Sequence, residues 1–395
     1  MSPQTQSPRG RVRQIIPSLP LGKWSPGPLN SLTDIPGVLV HTESIHSPSS
    51  SDTAPSYVNT GVTTILPRKD WYKFSSFAGI FRFNGCGEMT GSHWIEETGL
   101  LSSPIIVTTT NSIGDAYKGV WQYAAKHHSN EDGELTMFIF PVAAETFDGF
   151  LNDTTKFSVT PEHIVKGIEN ATADPVPEGN TGGGTGMICH RYKGGTGSSS
   201  RVVQGFDLEG KETSYTVGVL VQANYGSSAN LHIGGIPVGR ILKEQEPSPP
   251  EPQTTLPTQP RKSEPIKDGS IIIIIGTDAP YSPSSSSASP SAPPSASPSN
   301  TSGDIFLAFS TANKIPFQEL SYASDSSLDP YKPVPTTVTM SDNDSIDSLF
   351  EAAADATEEA IYNALFMAET MTGMMGRTIE ALDLVKAKEI VEKRL

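Results

Sequence analysis

The 395-residue sequence predicts an α/β domain in which helices cover layered sheets. Three observations carry that expectation. Strand-like apolar runs alternate with helix-spaced runs in the first half of the chain. The five consecutive isoleucines Ile271 to Ile275 read as a strand buried on both faces. Two helical patterns, Ile346 to Ala368 and Ile379 to Leu395, then close the chain.

Residues 1–30 are expected to be a disordered tail. They contain no acid, and Pro3, Pro8, Pro17, Pro20, Pro26 and Pro28 break any amphipathic helix. A single domain is expected over 31–395. It opens with Leu32 to Val38 as a turn into a short strand, a Ser-rich loop at 47–56, and the strand Val58 to Leu66 (VNTGVTTIL). Phe77 to Phe83 is the next strand. It leads into Asn84-Gly85-Cys86-Gly87-Glu88-Met89-Thr90-Gly91, which is either a loop holding its acid in place or a hairpin with a surface Glu.

Pro104 to Thr110 (PIIVTTT) is a strand, and Ser112 to His128 carries Ile113, Ala116, Val120 and Ala124 at helical spacing. Met137 to Val142 (MFIFPV) reads as a buried strand, which sets Glu145 just past a strand end, where α/β proteins gather binding residues. Thr160-Pro161 has the capping residue and first-turn proline of a helix start.

Residues 178–201 are dense in Gly, Ser and Thr. No Gly-Lys-Ser/Thr closes a phosphate cradle there, so the glycines are read as sites of close backbone approach. Tyr215 to Val221 is a strand running into Gln222-Ala223-Asn224-Tyr225-Gly226, where Asn224 is either an oxyanion donor or a turn residue. A Pro/Glu/Gln/Thr linker follows at 244–262.

Ser270 opens the isoleucine strand directly after Gly269. The pair is either a turn into the core or a place where the chain cuts itself. In the second case Ser270 becomes an N-terminus carrying both a hydroxyl and an α-amine, whose ordinary pKa of about 8 suits a base near neutrality. The Ser/Pro/Ala segment 282–300 cannot build a core. Ser302-Gly303-Asp304 heads the strand that ends at Ser310, as a turn or as part of a site, and Asn363 lies among apolar helix positions where its amide needs a partner.

Composition narrows the function. The net charge is −15 and no long basic run exists, which argues against nucleic acid and anionic membrane as partners. Cys86 and Cys189 have no CxxC spacing, consistent with a reducing compartment, and no apolar run is long enough to span a bilayer. A cytoplasmic protein without metal or cofactor is expected.

Taken together, EGNTGGGTGM, KGGTGSSSR, VQANYG, DGSIIIIIGTDAP, SGDIFLAFSTAN and EEAIYNAL resemble, in that order, the self-processing aminopeptidases of the DmpA/β-peptidyl aminopeptidase type. LTDIPGV, TGVTTILP and NGCGEMTGSHWIEETG are similar to the same family, and the likeness spans roughly residues 31–380. The resemblance implies a four-layer αββα fold, cut before a Ser into two chains (31–269 and 270–395) that stay together, with the processed heterodimers forming a homo-oligomer. It implies Ser270 as nucleophile, Ser302 and Asp304 as its helpers in proton transfer, Asn224 as oxyanion donor, and Glu145 as the acid that binds the free amino group of a small peptide or amide.

Two departures from the family pattern stand out. The aromatic hydroxyl expected two residues after the acid is Phe147, and segment 282–300 occupies the place of a helix. Two other functions share these features: an acyltransferase of the ornithine-acetyltransferase kind, which is cut before a Thr, and an inactive scaffold.

Overall fold

The computed structural model describes residues 8–47, 57–245, 269–281, 301–317 and 331–395. Most of the 244–262 linker, the whole 282–300 segment and most of the Ser-rich 47–56 loop lie outside the described residues. The strands of the two main sheets are β1 Leu39–Ser47, β2 Val58–Leu66, β3 Phe74–Arg82, β4 Leu100–Leu101, β5 Ile105–Thr109, β6 Val142–Thr146, β7 Gly195–Phe206, β8 Glu212–Asn224, β9 Ser270–Thr277 and β10 Ile305–Pro316. They form a four-stranded sheet, β1-β2-β5-β6, and a six-stranded sheet, β4-β3-β10-β9-β8-β7.

Period-two alternation along β9 shows how the layers stack. Ile272 and Ile274 point between the sheets, into a core with Val40, Ile65, Val107 and Ala144 of the first sheet and Leu220, Ile305 and Leu307 of the second. Ile271, Ile273 and Ile275 point the other way, into a core shared with helices. Those helices are α1 Val12–Ile15, α5 Val238–Gln245, α6 Asp347–Phe366 and α7 Leu384–Glu392. On the far side, α3 Ile113–His128 and α4 Pro161–Glu169 cover the first sheet, packing Ala116, Val120 and Ile164 against Val62 and Ile106. A short helix, α2 Ser92–Thr98, sends Ile95 into the inter-sheet core. The order is helix, sheet, sheet, helix. Among the described residues no helix is long and apolar enough to cross a membrane.

Two expectations fail. Residues 8–30 are not a disordered tail: Val12 and Ile16 are fully buried, and Leu19 and Leu21 nearly so. The segment is held by polar groups as well as by these apolar side chains. Arg11 pairs with Glu178 at 2.6 Å, Arg13 with Glu359 at 2.8 Å, and the Val12 N–H donates to Asn363 Oδ1 at 3.1 Å. That last bond also supplies the partner Asn363 needs, whose Nδ2 donates to Ser198 O at 3.0 Å.

The second failure is MFIFPV, where β6 starts only at Val142. Pro141 has no N–H to give a ladder. Glu145 therefore lies inside a strand, paired in register with Thr108 of the parallel neighbour β5, and not beyond its end.

Candidate active site

The site forms where the ends of β8, β9 and β10 meet. β8 and β9 are antiparallel, and their register sets Asn224 opposite Ser270. Gly269 is required for space: a Cβ there would lie 1.7 Å from the Asn224 carbonyl oxygen. β10 runs parallel to β9, with Ile305 opposite Ile272, so the turn before β10 arrives beside Ser270.

That turn makes three contacts. The Gly303 N–H donates to Ser270 Oγ at 3.0 Å. Ser302 Oγ lies 2.6 Å from the Gly269 carbonyl oxygen and 2.7 Å from Asp304 Oδ1. A hydroxyl has one proton, so it can donate to only one of these at a time. Both short contacts become hydrogen bonds when Asp304 carries a proton, which it gives to Ser302 Oγ while Ser302 donates to Gly269. Burial pushes the Asp304 carboxyl above its ordinary range, opposed by hydrogen bonds from Ser302, Asn84 and the Ile271 N–H.

The 84–91 loop clamps this turn. The Cys86 N–H donates to the Ser302 carbonyl and the Phe83 N–H to that of Asp304, both at 3.0 Å. Asn84 grips Asp304 twice: its Oδ1 accepts the Asp304 N–H at 2.5 Å, and its Nδ2 donates to Oδ2 at 3.3 Å. Sequence reasoning singled out Glu88 in this loop and missed Asn84, although the NGCG stretch was the available signal.

Asn224 is oriented without ambiguity. Its Oδ1 accepts the Ile188 N–H at 2.8 Å and its Nδ2 donates to the Phe147 carbonyl at 3.0 Å. A second N–H remains on Nδ2, which stands close to Gly269: a Cβ there would lie 3.0 Å from it. The Phe147 ring is 59 % exposed, and its main-chain carbonyl is what holds the Asn224 amide.

Glu145 is buried, with Oε2 accepting the Thr110 hydroxyl and Oε1 accepting the Glu88 N–H at 3.2 Å. Among the described residues no Lys, Arg or His forms an ion pair with it. Burial pushes its pKa up, against those two hydrogen bonds. It is thus a carboxylate held by neutral donors and left short of a cation.

Gly269, Ser270, Ser302 and Asp304 thus form one contact chain, Asn224 abuts it, and Glu145 is tied to it through the Glu88 N–H of the 84–91 loop that clamps the turn. Among the described residues no three His, Cys, Asp or Glu side chains converge as a metal set.

Peptidase family S58 matches residues 30–379. A β-peptidyl aminopeptidase, BapA, of Sphingosinicella microcystinivorans is 39% identical over 93% of this chain and 89% of its own. A β-aminopeptidase of Burkholderia sp. superposes with a TM-score of 0.79 at 35% identity, covering 97% of this chain and 99% of that one. The L-aminopeptidase D-Ala-esterase/amidase of Ochrobactrum anthropi, described as a prototype serine aminopeptidase with a variant Ntn hydrolase fold, gives 0.77 at 36% identity over 97% and 98% of the two chains. All three relatives are named as aminopeptidases, and none supports the acyltransferase or scaffold alternative.

Proposed function

Because the chain belongs to peptidase family S58 and is a serine aminopeptidase, we propose that it cuts itself between Gly269 and Ser270 and then uses Ser270 as its nucleophile. The observation that carries this reading is the Ser302 hydroxyl 2.6 Å from the Gly269 carbonyl oxygen, on the very peptide bond to be cut. Ser270 Oγ attacks the Gly269 carbonyl carbon, and Ser302 stabilises the negative charge that develops on its oxygen. The C–N bond breaks, the Oγ proton passes to the departing nitrogen, and an ester remains. Water hydrolyses that ester, leaving a Gly269 carboxylate and a Ser270 with free hydroxyl and amine.

In turnover the Gly269 carbonyl is no longer attached, so Ser302 can donate to an ionised Asp304; the Ser270 amine takes the hydroxyl proton, directly or through Ser302, and Asp304 stabilises the resulting positive charge. The free N–H of Asn224 receives the substrate oxyanion. Glu145 binds the ammonium of the substrate, a small peptide or amide with a free N-terminus. The names of the relatives support N-terminal β-residues among the substrates. We place the processed heterodimers in a homo-oligomer in the cytoplasm, the latter supported by the free thiols of Cys86 and Cys189.

Ser270→Ala tests the reading, because one hydroxyl serves both reactions. It should yield a single uncut chain without peptidase activity on denaturing gels and in assay. A cut or active variant would remove Ser270 from its role.

A further inference from the structure

Asp148 has no part in the chemistry above, yet it is 1 % exposed and lies just behind the site. It follows Phe147 directly and Glu145 by three residues. Its Oδ1 accepts the Thr109 hydroxyl at 2.7 Å and Asn152 Nδ2 at 3.0 Å. Its carbonyl accepts the N–H groups of Leu151 and Asn152, each at 3.0 Å, closing the turn after β6. An enclosed carboxylate is costly, and an uncharged Asn or Ser would suffice to close a turn.

Two ends of the substrate site meet at this one residue, one at its side chain and the other at its main chain. On one side Thr109 is followed by Thr110, whose hydroxyl holds Glu145 Oε2. On the other, the main chain of Asp148 continues from Phe147, whose carbonyl holds the Asn224 amide at 3.0 Å. Glu145 fixes the substrate's ammonium and Asn224 its reacting carbonyl oxygen. The separation between them must therefore match the number of carbons between amine and carbonyl: one in an α-residue, two in a β-residue. That extra carbon lengthens the substrate by more than an ångström, and reactive geometry is lost over about that distance.

We propose that Asp148 is the positioning residue that sets the Glu145–Asn224 separation and with it the discrimination between N-terminal α- and β-amino acids. The inference rests on the roles given to Glu145 and Asn224 above.

The test uses full-length, processed enzyme and a matched pair of substrates, the p-nitroanilides of alanine and β-alanine. Asp148→Ala should lower kcat/KM on the preferred one at least 10-fold and move the α-to-β ratio at least 5-fold toward unity. Asp148→Asn keeps an acceptor oxygen for Thr109 and should restore the ratio to within about 3-fold. Should Asp148→Ala fail to fold, Thr109→Val, which keeps the shape and deletes the hydroxyl donor, should shift the ratio in the same direction. A structural role alone would lower the melting temperature and leave the ratio fixed. An active wild type with unchanged ratios in Asp148→Ala and Thr109→Val overturns this inference alone. A wild type that is uncut and hydrolyses neither substrate overturns the underlying reading, and this inference with it.

Discussion

In the role proposed for it, Glu145 turns burial without a counter-ion into recognition. Thr110 and the Glu88 N–H satisfy its oxygens, but neither cancels its charge, so an arriving ammonium would gain a charge-assisted hydrogen bond to a buried carboxylate. Glu145→Gln should therefore raise KM for free-amine substrates roughly 10- to 150-fold, the worth of about 1.5–3 kcal/mol for such a bond. Self-cleavage should continue, since the Gly269–Ser270 bond presents no ammonium. Equal hydrolysis of N-acetylated and free peptides by the wild type would contradict the role.

Lys193 is the opposite case, a buried lysine whose Nζ, among the described residues, reaches only the carbonyls of Gly184 and Gly194, at 3.3 and 2.7 Å. Burial pulls its pKa down to about 7 from an ordinary 10.5, while burial pushes the Cys189 thiol up to about 12 from 9.0. Between pH 7 and 9 the unfolded chain binds the Lys193 proton and the folded one gives it up, so stability rises with pH. Above that, the thiol ionises only when unfolded and works against the gain. Lys193→Met should flatten the rise, as read from urea midpoints at pH 7 and 9; parallel pH dependences in the two proteins would contradict it.

At the scale of elements, β7 explains why a Gly/Ser/Thr run belongs in a folded core. Gly197 lets α6 lie against the sheet, for a Cβ there would stand 1.9 Å from the Ala360 carbonyl oxygen. The serines beside it bond inward, Ser198 to the Val219 carbonyl at 2.7 Å and Ser199 to that of Ala356 at 2.6 Å. Gly197→Ala should thus cost about 1–3 kcal/mol, as overpacking does, and lower the thermal midpoint; an unchanged midpoint would mean that the layers are not closely packed there. Sequence patterning made β2 and β9 legible, because β-branched runs have few alternatives, and the Thr160-Pro161 start of α4 as well. It could not show that Arg11 and Arg13 anchor residues 8–30, since a segment tied by side chains to distant carboxylates has no periodicity to read. The strand-end positions of Ser270 and Asn224 were legible, and the structure sets the two opposite each other. Asn84, Thr110 and the Ile188 N–H were not, because their roles depend on which loops the fold brings together.

Across the whole molecule, the proposed cut falls between parts that remain interlocked. β8 and β9 pair along their length from either side of it. The N-terminal segment also crosses to the far fragment: Arg9 donates to the carbonyls of Leu365 and Leu382, Arg13 pairs with Glu359, and Asn30 Nδ2 donates to Glu359 Oε1 at 2.6 Å. Buried Arg201 joins the same carboxylate at 2.8 Å. Cleavage there would therefore free a new N-terminus at Ser270 without releasing the strand that holds it. N-terminal sequencing of the smaller fragment, taken from material that elutes as one species under native conditions, tests the central claim most directly. It should begin Ser-Ile-Ile-Ile; a chain that stays whole on a denaturing gel yet hydrolyses free-amine peptides would contradict it.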